Sequence, residues 1–196
     1  MSRRAEQVDG TRQRIVEATV ELHGSVGPAA TTIAGIADLA GVTRLTVYRH
    51  FADDAALFDA CSTHWISQQQ LPDPGGWSQI SDAAARLQEG LSDLYRFYRA
   101  GADMLTNIRR DLTTLPDAHQ QRLREQDTYF IGVLAAPFED TGDEDRRLRA
   151  LIGHATSFWT WRSLCIHQGL SDAEAVNAMT GMVHAVTSAP HVEPAQ

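Results

Sequence analysis

Apolar positions recur at helical spacing along almost the whole chain. Ile15, Ala18, Thr19 and Leu22 fall at i, i+3, i+4 and i+7, the signature of one buried helical face. Gly24 and Gly27-Pro28 predict the end of that helix. Thr32 reads as the N-cap of a short second helix that buries Ile33, Ile36, Ala37 and Ala40. Gly35 inside it costs about 1 kcal/mol relative to alanine, so packing must compensate. Gly41 supplies a tight turn, Val42 a core contact, and Thr43 a cap for a third helix that contains Val47 and ends near Phe51. Asp53 or Asp54 caps a fourth, with Ala55, Leu57, Phe58, Cys61 and Trp65 following.

The stretch Leu71-Pro72-Asp73-Pro74-Gly75-Gly76 is the clearest breaker in the chain. Beyond it the spacing predicts helices near 78–100, 102–113, 117–137, 144–168 and 172–187, joined by Leu115-Pro116 and by the acidic run 139–145. No alternating run flanked by turn residues reads as a strand. The expected fold class is therefore all-α, with a three-helix helix-turn-helix domain over 1–52, a second helical domain over 53–187 and a loose tail over 188–196.

Composition narrows the class. The 196 residues are 43% hydrophobic and 21% charged, which describes a globular chain rather than a disordered one. The polar start leads into no secretory segment and no apolar run is long enough to span a bilayer, so a cytoplasmic protein without membrane contact is expected. Cys61 and Cys165 match no metal or redox spacing, and neither metal nor cofactor is expected. The net charge of −8 argues against indiscriminate coating of nucleic acid, but it is unevenly spread. Residues 1–51 carry six arginines against five acids, a net +1; the remainder carries eleven against twenty, a net −9. An enzyme is the rival class, yet the chain has no glycine-rich phosphate loop, no GxSxG and no HExxH.

Helices at 32–40 and 44–50 joined by Ala40-Gly41-Val42-Thr43 have the proportions of a helix-turn-helix, whose second helix enters the major groove of DNA. Arg44 stands in its first turn, where a guanidinium reaches guanine or phosphate. Thr46 is small enough for close approach and offers a methyl to thymine. Tyr48, Arg49 and His50 are candidate phosphate ligands, against the plainer reading of surface residues at a helix end. Thr32 adds the backbone N–H groups of a helix start. Arg3 and Arg4 are candidates for a minor-groove arm.

The string Thr31-Thr32-Ile33, Ile36-Ala37, Ala40-Gly41-Val42-Thr43 and Thr46-Val47-Tyr48-Arg49-His50-Phe51 resembles the DNA-binding signature of the TetR family of bacterial repressors, over Arg14 to Leu57. The resemblance implies an all-helical homodimer with a C-terminal dimerisation and effector domain, a double-stranded DNA operator as partner, and release by a small molecule. It implies phosphate contacts for Thr32, Tyr48 and His50, a phosphate contact for Thr46 as well, and base reading over Thr43 to Thr46. Two residues depart from the pattern. Asp54 stands where many members carry a phosphate-binding lysine, and Leu45 where glycine, alanine or proline is common. The first predicts weaker non-specific DNA binding; a helical ligand-binding dimer that has lost DNA binding is the alternative it supports.

In the C-terminal part, Tyr95, Tyr98, Met104, Tyr129, Phe158 and Trp161 are the expected lining of an effector pocket, although aromatic stripes at helical spacing are more often core. His154 is expected as a core imidazole, and Arg99 as salt-bridged. Stripes of Leu148, Leu151, Ile152, Ala155, Phe158 and Trp159, and of Val176, Met179, Thr180, Val183 and Ala185 or Val186, suit a four-helix dimer interface.

Overall fold

The computed structural model describes residues 3–138 and 142–187, with side chains described over 8–138 and 146–186. The expected tail over 188–196, residues 139–141 of the acidic connection and the side chains of Arg3 and Arg4 lie outside the described residues, while 142–145, expected in that connection, begin a helix. The all-α expectation holds: eleven helices occur among the described residues, and no strand.

These helices are α1 (Arg3–Ser25), α2 (Ile33–Ala40), α3 (Arg44–His50), α4 (Asp54–Ser67), α5 (Pro74–Ser78), α6 (Ala83–Ala100), α7 (Ala102–Arg110), α8 (Asp117–Ala135), α9 (Gly142–Thr156), α10 (Phe158–Trp161) and α11 (Asp172–Thr187). Single turns of 3₁₀ helix occupy Pro28–Ala30, Leu112–Thr114 and Ala136–Phe138.

The chain divides into two compact units. The first contains residues 1–71 and 101–122, the second 72–100 and 123–196. In the first, Ile15, Val16 and Ala18 of α1 form one core with Ile36, Ala37 and Ala40 of α2, Val47 of α3, and Leu57 and Cys61 of α4. The predicted face of α1 is the buried one, with Leu22 half-buried at its edge. The predicted caps form as well. Thr32 Oγ1 accepts from the Gly35 N–H at 3.0 Å, Thr43 Oγ1 from the Thr46 N–H at 3.2 Å, and Asp53, rather than Asp54, from the Ala56 N–H at 2.8 Å. Each cap is worth about 1 kcal/mol. Gly41 closes α2 in the left-handed region at φ 66°, a geometry other residues adopt only under strain.

In the second unit α6 packs on α9, α10 and α11. Two expected helices are interrupted. The breaker after Leu71 contains a short helix of its own, because Asp73 caps Gly76 and the buried Trp77 donates its indole N–H to Asp93 at 3.0 Å. The helix expected over 144–168 breaks at Ser157, whose extended backbone starts α10 with its hydroxyl accepting from the Trp159 N–H. A π-helical turn follows over Arg162–His167. His154 is exposed, which corrects its expected place in the core: it sits in the last turn before that break.

Candidate nucleic-acid interface

The sequence of α3, Arg-Leu-Thr-Val-Tyr-Arg-His, puts a single apolar anchor among polar residues, and the helix packs accordingly. Val47 is 1% exposed and seats α3 on α1 and α2. Around it Arg44, Leu45, Tyr48 and Arg49 are exposed, while Thr46 and His50 are half-buried. Leu45 is 68% exposed and Tyr48 55%, so neither serves the core. Thr43, also exposed, shares a 2.9 Å hydroxyl contact with Thr46, which fixes both side chains at the start of the helix. Thr32 is exposed at the start of α2, its oxygen engaged as a cap but its hydroxyl proton available to an anion. The seven predicted contact residues thus lie on α2 and α3 of one unit.

Two arginines on α1 tie this unit together. The Arg14 Nε donates to the carbonyl of Ala40 at 3.4 Å, and the Arg12 guanidinium lies 4.8 Å from the centre of the Phe51 ring.

The residues that brace the helix-turn-helix come from α7, and sequence reasoning did not find them. Asn107 donates to the carbonyls of His23 and Gly24, in the last turn of α1, at 3.0 and 2.8 Å. Arg110 donates to the Val26 carbonyl at 3.0 Å and pairs with the buried Asp111 through Nε at 2.7 Å. Asp111 in turn accepts from the Ala29 N–H at 3.1 Å. The Arg110 guanidinium holds the Asp111 carboxyl below its usual range, with the Ala29 bond adding to the effect. Gly27 passes between these groups at φ 93°. Gly27 carries the only local signal, since Gly-Pro marks a turn without naming its partners.

Asp54 is exposed at the first position of α4, which sets a carboxylate where a basic residue would attract DNA. Leu57, Phe58 and Cys61 follow it into the core. Burial pushes the Cys61 thiol up to about 12, so it holds its proton and is poorly suited to sensing oxidants.

Residues 15–61 match the family described as "Bacterial regulatory proteins, tetR family". That match covers α1 from Ile15 onward, α2, α3 and the first half of α4, about a quarter of the chain. The HTH-type transcriptional regulator TtgR of Pseudomonas putida is 45% identical over 58 residues, which are 30% of this chain and 28% of TtgR. The match therefore spans less than a third of that regulator's own length. Among solved structures, NalD, the secondary repressor of the MexAB-OprM multidrug efflux pump in Pseudomonas aeruginosa, superposes with a TM-score of 0.61 at 22% identity, covering 92% of this chain and 97% of NalD. The tetR-family regulator PfmR from Thermus thermophilus has a TM-score of 0.61 at 14% identity, with 87% and 96% covered. At these identities the likeness is one of fold. These relatives are regulators rather than enzymes.

Of the six expected effector residues, four meet in one cluster. Tyr95, Tyr98, Phe158 and Trp161 meet in the second unit, with Tyr98 5.4 Å from Phe158 and 6.0 Å from Trp161 between ring centres. All four are buried, and the tyrosine hydroxyls are spent on the carbonyls of Ala155 (2.8 Å) and Thr156 (2.7 Å). Tyr129 is 58% exposed, and Met104 belongs to the first unit, where its methyl lies near Gly24. Arg99 makes the expected salt bridge, a two-pronged one to Asp172 at 2.6 and 2.7 Å, and Asp172 also accepts from the Trp161 indole at 2.9 Å. Of the two stripes expected at a dimer interface, Ile152, Ala155, Val176 and Val183 are already buried within one chain, leaving Trp159 and Val186 exposed and Met179 half-exposed. No helix of the described residues is long and apolar enough to cross a membrane, and no cluster among them has the composition of a metal site.

Proposed function

We propose that this chain is a ligand-responsive transcriptional repressor that binds a palindromic operator as a homodimer and releases it when a small-molecule effector binds. The observation that carries the reading is the division of α3. One valine anchors it, and Arg44, Leu45, Tyr48 and Arg49 project to solvent with no core role. A helix so disposed fits the major groove, with Arg44 and Thr46 toward base edges and Thr32, Tyr48, Arg49 and His50 toward phosphates; Thr43 sets its first turn. Two copies with recognition helices about 34–36 Å apart would read a palindrome. Residues 1–52 are then the DNA-reading part, and 53–187 the part that dimerises and takes the effector. Trp159, Met179 and Val186 are the apolar side chains still accessible for the dimer. Tyr95, Tyr98, Phe158 and Trp161 are all buried, so an effector at this cluster has to part packed side chains. The role of NalD as a repressor agrees with the sign of regulation proposed.

Gel retardation on the DNA upstream of the gene, and on sites selected from random duplexes, tests the reading. The expected result is a retarded complex on a palindrome, with log affinity falling against log salt by about 0.9 per phosphate neutralised. Absence of retardation on both pools overturns it.

A further inference from the structure

We propose that the first unit carries a small-molecule site of its own: a cavity between α1, α2, α4 and the 112–116 segment that takes an uncharged, mostly apolar molecule with one hydroxyl or N–H donor, a simple phenol being the type. The cavity has a volume of about 330 Å³, at the small end of the range for ligand pockets and enough for a single substituted ring. Ile33, Ile36, Leu57, Phe58, Leu115 and Pro116 give it an apolar wall. His23, 6% exposed, is a buried polar side chain in that wall able to accept a new hydrogen bond.

The chemistry of the occupant follows from the state of His23. The Cys61 thiol donates to the Phe58 carbonyl at 3.2 Å, so toward the imidazole, 3.6 Å away, the sulfur is an acceptor. This pairing assigns the proton to His23 Nδ1 and leaves a lone pair on Nε2. Burial lowers the pKa of this imidazole to about 4, outweighing the opposing pull of Asp111, so at neutral pH the ring is an uncharged acceptor and calls for a donor. Thr19, the other buried polar group in the wall, donates its hydroxyl to the Ile15 carbonyl at 2.8 Å, so toward the cavity it too can only accept. Asp54 is the charged residue among those that line the cavity, with no arginine beside it, which turns away carboxylates and phosphates. An occupant would touch Thr32 and Ile36 of α2 and Leu57 and Phe58 of α4 at once, bracing the two helices that flank α3.

This site goes beyond the operator reading and is tested without DNA. The full chain is titrated with 4-bromophenol and with 4-bromotoluene, which matches it in shape but lacks the donor, and is crystallised with 4-bromophenol so that bromine can be located by anomalous scattering. Expected are bromine density among Ile33, Ile36 and Phe58, and about ten-fold tighter binding of the phenol than of the toluene, the difference disappearing in His23→Leu. Bromine only in the second unit, no binding at all, or an undiminished preference in His23→Leu overturns the proposal. The density and the two-ligand comparison on the unaltered chain decide the matter even if His23→Leu fails to fold.

Discussion

The Asn107 side-chain nitrogen stands 2.8 Å from the carbonyl oxygen of Gly24, and the same amide reaches the His23 carbonyl. The last carbonyls of a helix have no partner within it, and α1 ends against buried structure rather than in water. A residue more than eighty positions away thus completes the first helix of the helix-turn-helix unit. Asn107→Leu keeps the branching at Cγ and removes both bonds. It is expected to cost about 2–3 kcal/mol, the penalty for stranding buried acceptors, read as a lower midpoint in denaturant at unchanged slope.

Gly27 is the second position where α7 dictates what α1 can carry. Its φ of 93° is one that L side chains rarely adopt, and a Cβ there would meet the Arg110 guanidinium and the Asp111 carboxylate. Gly27→Ala is expected to destabilise by about 1–3 kcal/mol. Because the Arg110–Asp111 pair must shift to admit the methyl, operator affinity should fall further than the stability loss alone explains. A retardation assay at a temperature where the variant is fully folded checks this.

Stability should fall with acid well above the range of ordinary carboxylates. The folded chain keeps His23 neutral down to about pH 4, whereas the unfolded chain protonates it near 6.5. Between those values the unfolded state binds more protons, so stability is full above the window and declines as pH drops through it, by about 3 kcal/mol in all. His119, whose pKa burial also lowers, contributes with the same sign. Asp111 acts at lower pH: its depressed carboxyl stabilises above the ordinary carboxylate range and loses that contribution as it protonates. Urea unfolding at pH 7 and at pH 5 measures the decline, and His23→Leu should shrink it.

On DNA, Tyr48→Phe should weaken all sequences alike, while Arg44→Ala should cost about 1–3 kcal/mol on the selected site and relax preference at one base pair. Asp54→Lys should strengthen binding and steepen the salt slope by about one phosphate. An unaltered slope would show that the carboxylate at the start of α4 does not face the duplex.

What could be read in the chain beforehand was local. Thr32, Thr43 and Asp53 are recognisable because each cap and the backbone N–H that donates to it lie within three residues. Residues 144–168 read as one helix because periodicity continues across Ser157, where a serine cap makes the break, and the helix read from 78 starts only at Ala83. The bracing of α1 by Asn107, Arg110 and Asp111 left no mark, because nothing near either partner names the other. The aromatic cluster is a related case. Tyr95 and Tyr98 spend their hydroxyls on carbonyls about sixty residues ahead, partners that no local pattern names.

Because the first unit is assembled from 1–71 and 101–122, it cannot be finished in the order in which a ribosome makes it. When the first seventy-one residues have emerged, the groups that close α1 have not been synthesised, and the intervening segment is destined for the other unit. A fragment cut at the breaker after Leu71 would carry every side chain proposed to contact DNA and lack the clasp that holds them in register.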